Sequence, residues 1–192
     1  MSNNLIEIRW HARGGQGAKT AATWVAELAV DEGKFSQGYP DYGPERMGAP
    51  TKGYTRVSTS EVRVHSPIYN PDVVAVLDNT LLGSENVCEG IKANGKLIVN
   101  SPDSPDAIRK KFSIDNNVKI FTVNATHISI DEIGKPIPNT PMIGALIKVT
   151  NVLSMETVIN DVRKKFGKKF SEKVIQGNIN AIERGYKEVQ SE

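Results

Sequence analysis

Cysteine is almost missing from this chain: of 192 residues only Cys88 carries a thiol. That excludes an internal disulfide framework, a four-cysteine iron–sulfur cluster and an all-cysteine zinc site built by this chain alone. A reducing, cytoplasmic setting fits. Histidine is scarce too. His11, His65 and His127 are widely spaced, with no pair at the helical spacing a metal site uses, and each reads as a hydrogen-bonded structural residue. No stretch approaches the ~20 apolar residues of a bilayer span, and the polar start Met1–Asn4 does not read as a targeting segment. No Gly-x-Ser-x-Gly nucleophile elbow is present. Aromatic residues make up 6%, and no stacking platform accompanies the basic run at Arg163–Lys165 and Lys168–Lys169. That run reads as a solvated helix face, which argues against a nucleic-acid partner.

What remains is ordinary for a soluble globular protein: 39% hydrophobic, 24% charged and a net charge of +2. The length predicts one domain spanning 1–192. Leu5 to Trp10 alternates apolar and polar residues, the period of a half-buried strand. A glycine-rich loop follows, then an Ala-, Val- and Leu-rich helix from Ala18 to Glu32 that stops at Gly33. Residues 36–53 hold three prolines and several glycines with no usable period, which predicts a long loop. Residues 53–58 and 61–66 alternate and predict a hairpin. Asp72 to Asp78 is a nearly continuous apolar run, as in a strand covered on both faces. Strands at 95–100 and 118–123 and helices at 84–92 and 104–112 complete a strand–helix–strand alternation. Helices at 142–150 and 155–166 follow. Ile175, Ile179, Ile182, Tyr186 and Val189 form the stripe of a last amphipathic helix. The expected architecture is a three-layer α/β/α domain with a mainly parallel, mixed sheet, a hairpin insertion and C-terminal helices.

The strongest local signal is the loop Ala12-Arg13-Gly14-Gly15-Gln16-Gly17. Between a strand and a helix, such a loop turns backbone N–H groups and the helix N-terminus toward an anion. It is no P-loop, because Ala18 stands where glycine must precede Lys19-Thr20 and Arg13 where the first glycine belongs. It half-fits the dinucleotide fingerprint as Ala12-x-Gly14-x-x-Gly17, without a convincing ribose-binding acid. Phosphate binding and close helix–sheet packing both account for the glycines. Cys88 falls in a predicted helix as a small apolar filler.

Three stretches taken together carry a resemblance: Ile6 to Lys19, Tyr42-Gly43-Pro44-Glu45-Arg46-Met47-Gly48-Ala49-Pro50, and Asn139-Thr140-Pro141-Met142-Ile143-Gly144-Ala145-Leu146. Asn70 to Val74 followed by Leu77-Asp78 adds to them. In this order they resemble the gamma subunit of 2-oxoacid:ferredoxin oxidoreductases of the pyruvate synthase type, over about residues 5–190. The resemblance implies a subunit of a cytoplasmic enzyme that converts a 2-oxoacid and coenzyme A to acyl-CoA and carbon dioxide while reducing ferredoxin. It implies alpha, beta and delta partner subunits that carry thiamine diphosphate, magnesium and [4Fe–4S] clusters, and a gamma chain with no catalytic centre or metal of its own. Family members usually have glycine where Ala12 stands, and often arginine or a small polar residue where Met47 stands.

By charge and placement, Arg13 and Lys19, with Gly14, Gly15, Gln16 and Gly17, are the expected contacts for a phosphate of coenzyme A. Tyr42, Gly43, Pro44, Glu45, Arg46 and Met47 are the expected subunit contact. The alternative is a free-standing α/β nucleotide-binding module resting on the glycine loop alone.

Overall fold

The computed structural model describes residues 5–41, 47–167 and 169–192. The first strand, β1 (Ile6–Arg13), leads through the glycine loop into helix α1 (Ala18–Asp31). β2 (Phe35–Pro40), β3 (Pro50–Ser58), β4 (Val73–Val76) and β5 (Lys96–Asn100) follow, with a short 3-10 turn at Asn79–Gly83 after β4. Then come α2 (Pro105–Phe112), β6 (Lys119–Val123), α3 (Ala125–Ile133), α4 (Asn139–Thr150), α5 (Met155–Phe166), α6 (Glu172–Glu188) and β7 (Gln190–Ser191). One seven-stranded sheet has the order β2-β3-β1-β4-β5-β6-β7. β1, β4, β5 and β6 are parallel, while β2, β3 and β7 run antiparallel to their neighbours. The mixed α/β sheet with helices on both faces is the expected class.

Alternation in β1 decides the two faces. Ile8, Trp10 and Ala12 point into the larger core with α1, α3, α4, α5 and α6. The tightest joint there is between α4 and α6. A Cβ at Gly144 would overlap the Ile182 carbonyl, and one at Gly185 the Pro141 carbonyl, so the two backbones touch directly. The predicted stripe closes this core, with Ile175, Ile179 and Ile182 buried. Both tryptophans anchor the same side. Trp10 Nε1 donates to Thr55 Oγ1 at 3.0 Å, and Trp24 Nε1 to the buried carboxylate of Asp161 at 2.6 Å. The opposite face holds a smaller core of Val74, Val76, Leu97, Val99 and Ile120 under Leu81 and Ile108.

Four expectations need correction. Residues 36–53 are not one loop: Phe35–Pro40 and Pro50–Ser58 are paired strands. Gly38 is placed there because its missing side chain lets α1 approach, with Ala26 Cβ only 2.7 Å from where a Cβ would lie. The hairpin partner of β3 is therefore β2, and residues 61–66 join no strand. Arg56 and Gln37 side chains take the carbonyls of Val62, Val64 and Ser66 instead. Residues 84–92 form turns rather than a helix, because Arg9 captures the carbonyls of Val87 and Glu89 that helical bonding would use. Cys88 thus sits in a turn, half-buried beside the smaller core. Finally, α3 was not foreseen, although Asn124 caps it by accepting from the His127 N–H and Gly134 ends it.

Candidate functional site

The carboxyl ends of β1 and β4 lie side by side in parallel. Between them the chain changes face: α1 packs on one side of the sheet, whereas α2 packs on the other. A crevice at such a switch point is where open α/β sheets place ligands.

The glycine loop forms one wall. Gly15 and Gly17 have φ of +98° and +87°, a region that side-chain-bearing residues avoid. Gly17 occupies the N-cap of α1, which has no side-chain cap and no acid in its first turn, so its N-terminal dipole is unopposed. Ala12 lies inside β1, fully buried against the larger core, so it is a packing residue and not part of the loop entrance.

Distant parts of the chain meet this loop. Gly14 donates to the Ala49 carbonyl at 2.8 Å and Gly48 to the Gly14 carbonyl at 3.1 Å, a two-way backbone link to the end of the 42–50 segment. From α4, Asn139 brings its amide nitrogen to 2.6 Å from where a Cβ on Gly17 would sit. Asn139 is buried, and its Oδ1 is occupied by the Thr140 N–H at 2.9 Å. The carboxylate of Asp78, just past β4, accepts from Gln16 Nε2 at 2.6 Å and from the N–H and hydroxyl of Thr80. Burial would raise its pKa, but these hydrogen bonds from Thr80 and Gln16 hold it below its ordinary value. Gln16 completes the brace by accepting from the Arg13 N–H at 2.8 Å.

The residues expected to contact a phosphate stand in unequal states. Arg13 is half-buried and already engaged with Thr80 Oγ1 at 2.9 Å, the Gly48 carbonyl at 3.2 Å and Asp78 at 3.6 Å. Lys19, on the first turn of α1, is exposed and forms no ion pair among the described residues. Gln16 braces the loop rather than facing outward. Tyr42, Gly43, Pro44, Glu45 and Arg46 lie outside the described residues, and Met47 is 95% exposed. Sequence reasoning missed Asp78, Thr80 and Asn139 as site residues. For Asp78 the usable signal was an acid ending an apolar strand; Asn139 carries no local sign that it meets Gly17.

The histidines stand apart from this site. His11 is buried on β1, its Nε2 accepting from Arg9 Nε at 3.1 Å. Burial, then the nearby charges of Arg9 and Lys52, push its pKa down to about 3. It is therefore neutral, and Glu85 at 3.6 Å is no charge partner for it. His65 and His127 are exposed, and His127 Nε2 lies 3.5 Å from the Asp131 carboxylate one turn along α3. Among the described residues no three His, Cys, Asp or Glu side chains gather as a metal-holding group, and no helix is long and apolar enough to cross a membrane. The topology also departs from a dinucleotide-binding unit: the neighbour of β1 on the α1 side is the antiparallel β3. The crevice therefore combines a helix N-terminus, a buried amide and an arginine held by Thr80 and the Asp78 carboxylate, with Lys19 exposed on the first turn of α1 nearby.

Residues 7–188 match the pyruvate ferredoxin/flavodoxin oxidoreductase family. The pyruvate synthase subunit PorC of Thermotoga maritima is 45% identical over 190 residues, 99% of this chain and 97% of that one. The pyruvate/ketoisovalerate oxidoreductases common subunit gamma of Pyrococcus abyssi is 40% identical, over 94% of this chain and 97% of that one. In structure, the chain superposes on the crystal structure of Thermotoga maritima pyruvate oxidoreductase subunit PORC with a TM-score of 0.86 and 42% identity, covering 97% of this chain and 98% of the other. A 2-oxoglutarate:ferredoxin oxidoreductase from Magnetococcus marinus, solved with 2-oxoglutarate, coenzyme A and succinyl-CoA bound, shares the fold. Its TM-score is 0.76 at 20% identity, and the match spans 94% of this chain but 30% of that one.

Proposed function

The chain belongs to the pyruvate ferredoxin/flavodoxin oxidoreductase family as a gamma-type subunit, and from that premise we propose that it serves a pyruvate-converting enzyme by holding a phosphate of coenzyme A at its glycine loop. The complete enzyme joins a 2-oxoacid and coenzyme A into acyl-CoA, releasing carbon dioxide and passing electrons to ferredoxin. Alpha, beta and delta subunits supply thiamine diphosphate, magnesium and iron–sulfur clusters. This chain, with one cysteine, cannot supply a four-cysteine cluster by itself.

One observation carries the coenzyme A assignment. The glycine loop, the end of the 42–50 segment, Asp78 and Asn139 come from four regions of the sequence and meet at the uncapped start of α1. Arg13 is preset by Thr80 and Asp78, so little side-chain freedom is lost when it meets a phosphate. Lys19, exposed on the first turn of α1, adds a second charge. Met47, 95% exposed, is the described residue of the 42–47 stretch left for a partner subunit to cover.

The test is steady-state kinetics on the assembled enzyme. Arg13→Ala and Lys19→Ala should each raise KM for coenzyme A, by roughly tenfold for Arg13 and less for Lys19, with kcat nearly unchanged. An unchanged KM in both variants rejects the phosphate assignment.

A further inference from the structure

Residues 61–66 have the sequence of a strand, Glu-Val-Arg-Val-His-Ser, yet among the described residues they pair with none. Side chains of the sheet hold them. Gln37 Nε2 donates to the Val62 carbonyl at 3.0 Å, Arg56 Nη1 to Val64 at 3.4 Å, and Arg56 Nη2 to Ser66 at 2.9 Å. Tyr39 also donates to the Ser66 carbonyl. Capture of every second carbonyl from one side is the mark of an extended chain. The N–H and C=O groups of the intervening Glu61, Arg63 and His65 therefore face the other way. These three residues are exposed, and among the described residues none of their main-chain groups is hydrogen-bonded. The Glu61–Arg63 contact at 2.7 Å, two residues apart, fits the same alternation and leaves the edge without net charge from that pair.

We propose that this edge receives an extended segment of a partner subunit, which adds a strand to it on assembly. Water can satisfy these groups one by one, but another main chain matches them all at once, at the repeat of about 6.8 Å that alternate residues present. The anchoring is strong enough to preset the edge, since Arg56 is 2% exposed and also paired with Glu7 at 2.9 Å. Apolar side chains flank it: Val64 is 51% and Tyr69 67% exposed, and the Tyr69 carbonyl is held by Arg9. The proposal rests on the chain acting as a subunit of an assembly.

Residue-resolved hydrogen exchange on the free chain and on the purified complex tests it. The amides of Arg63 and His65 should exchange freely in the isolated chain and slow by about 100-fold or more in the complex, the scale of an amide that opens only rarely. His65→Pro removes one outward donor while suiting an extended backbone; it should keep the thermal midpoint of the free chain and weaken assembly at least tenfold, whereas His65→Ala should assemble normally. Equal exchange in complex and free chain overturns the proposal, whatever the proline variant does. So does protection that arises in the isolated chain by self-association, which would make a second copy the occupant. A wild-type chain that joins no partner would overturn the subunit reading itself, and this inference with it.

Discussion

Over β4, β5 and β6 the sheet face opposite α1 carries Val74, Val76, Leu97, Val99 and Ile120, closed by α2 and the 3-10 turn. Over β1 and β3 the same face carries Glu7, Arg9, His11, Tyr54 and Arg56, and irregular chain covers it. The first half excludes water with apolar area. The second buries two guanidinium groups and satisfies them in good part with main-chain carbonyls: Arg9 serves Ile68, Tyr69, Val87 and Glu89 besides His11, while Arg56 serves Val64 and Ser66 besides Glu7 and Tyr39. Hydrophobic burial is non-directional and tolerates any cover of the right shape. The arginine clamps are directional, so they fix where chain without secondary structure must run.

This contrast is open to direct attack. The largest effect is expected from Arg9→Met, which strips donors from four carbonyls and from His11; urea unfolding should show a loss of about 4 kcal/mol. Exchange protection should fall around residues 68–69 and 87–89 more than elsewhere. On the apolar half, Leu97→Ala should cost about 3 kcal/mol through lost burial and a cavity, with no such local pattern. An equal, diffuse response in both variants would erase the distinction.

The smallest effect is a pH dependence peculiar to the polar half. His11 titrates near 6.5 when unfolded and near 3 when folded. Its folded pKa is lowered, so below pH 6.5 the unfolded chain takes up a proton that the fold refuses. Stability from this group is therefore complete above pH 6.5 and declines as pH falls toward 3. Between pH 7.5 and 5 the loss should be about 2 kcal/mol, and His11→Gln should remove that slope. A variant as pH-sensitive as the parent would assign the slope to other groups.

The apolar half is also the half that can be read in the sequence. The run at 73–77 and the spacing of Ile175, Ile179 and Ile182 announce a central strand and a packed helix, because burial leaves a period. The polar half misleads for a physical reason. Residues 61–66 alternate correctly for an extended backbone, but Arg56 and Gln37 take the carbonyls a ladder would have used. Residues 84–92 look helical until Arg9, some 80 positions away, claims Val87 and Glu89. Pro40 and Pro50 suggest loop at 36–53, although they only mark strand ends. The candidate site divides the same way. Gly14, Gly15 and Gly17 declare a turn locally, whereas Asp78 and Asn139 reach it only through the folded sheet and α4.

The two tryptophans of the chain sit on the two elements that the glycine loop joins, Trp10 on β1 and Trp24 on α1. Each indole is locked by a single hydrogen bond, one to a hydroxyl and one to a carboxylate. Trp10 is tied through Thr55 to β3 and Trp24 through Asp161 to α5, so the two indoles watch separate joints on either side of the loop. The protein thus carries an unlabelled optical gauge of the joints around its glycine loop, with two emitters in different electrostatic surroundings and no third indole to obscure them.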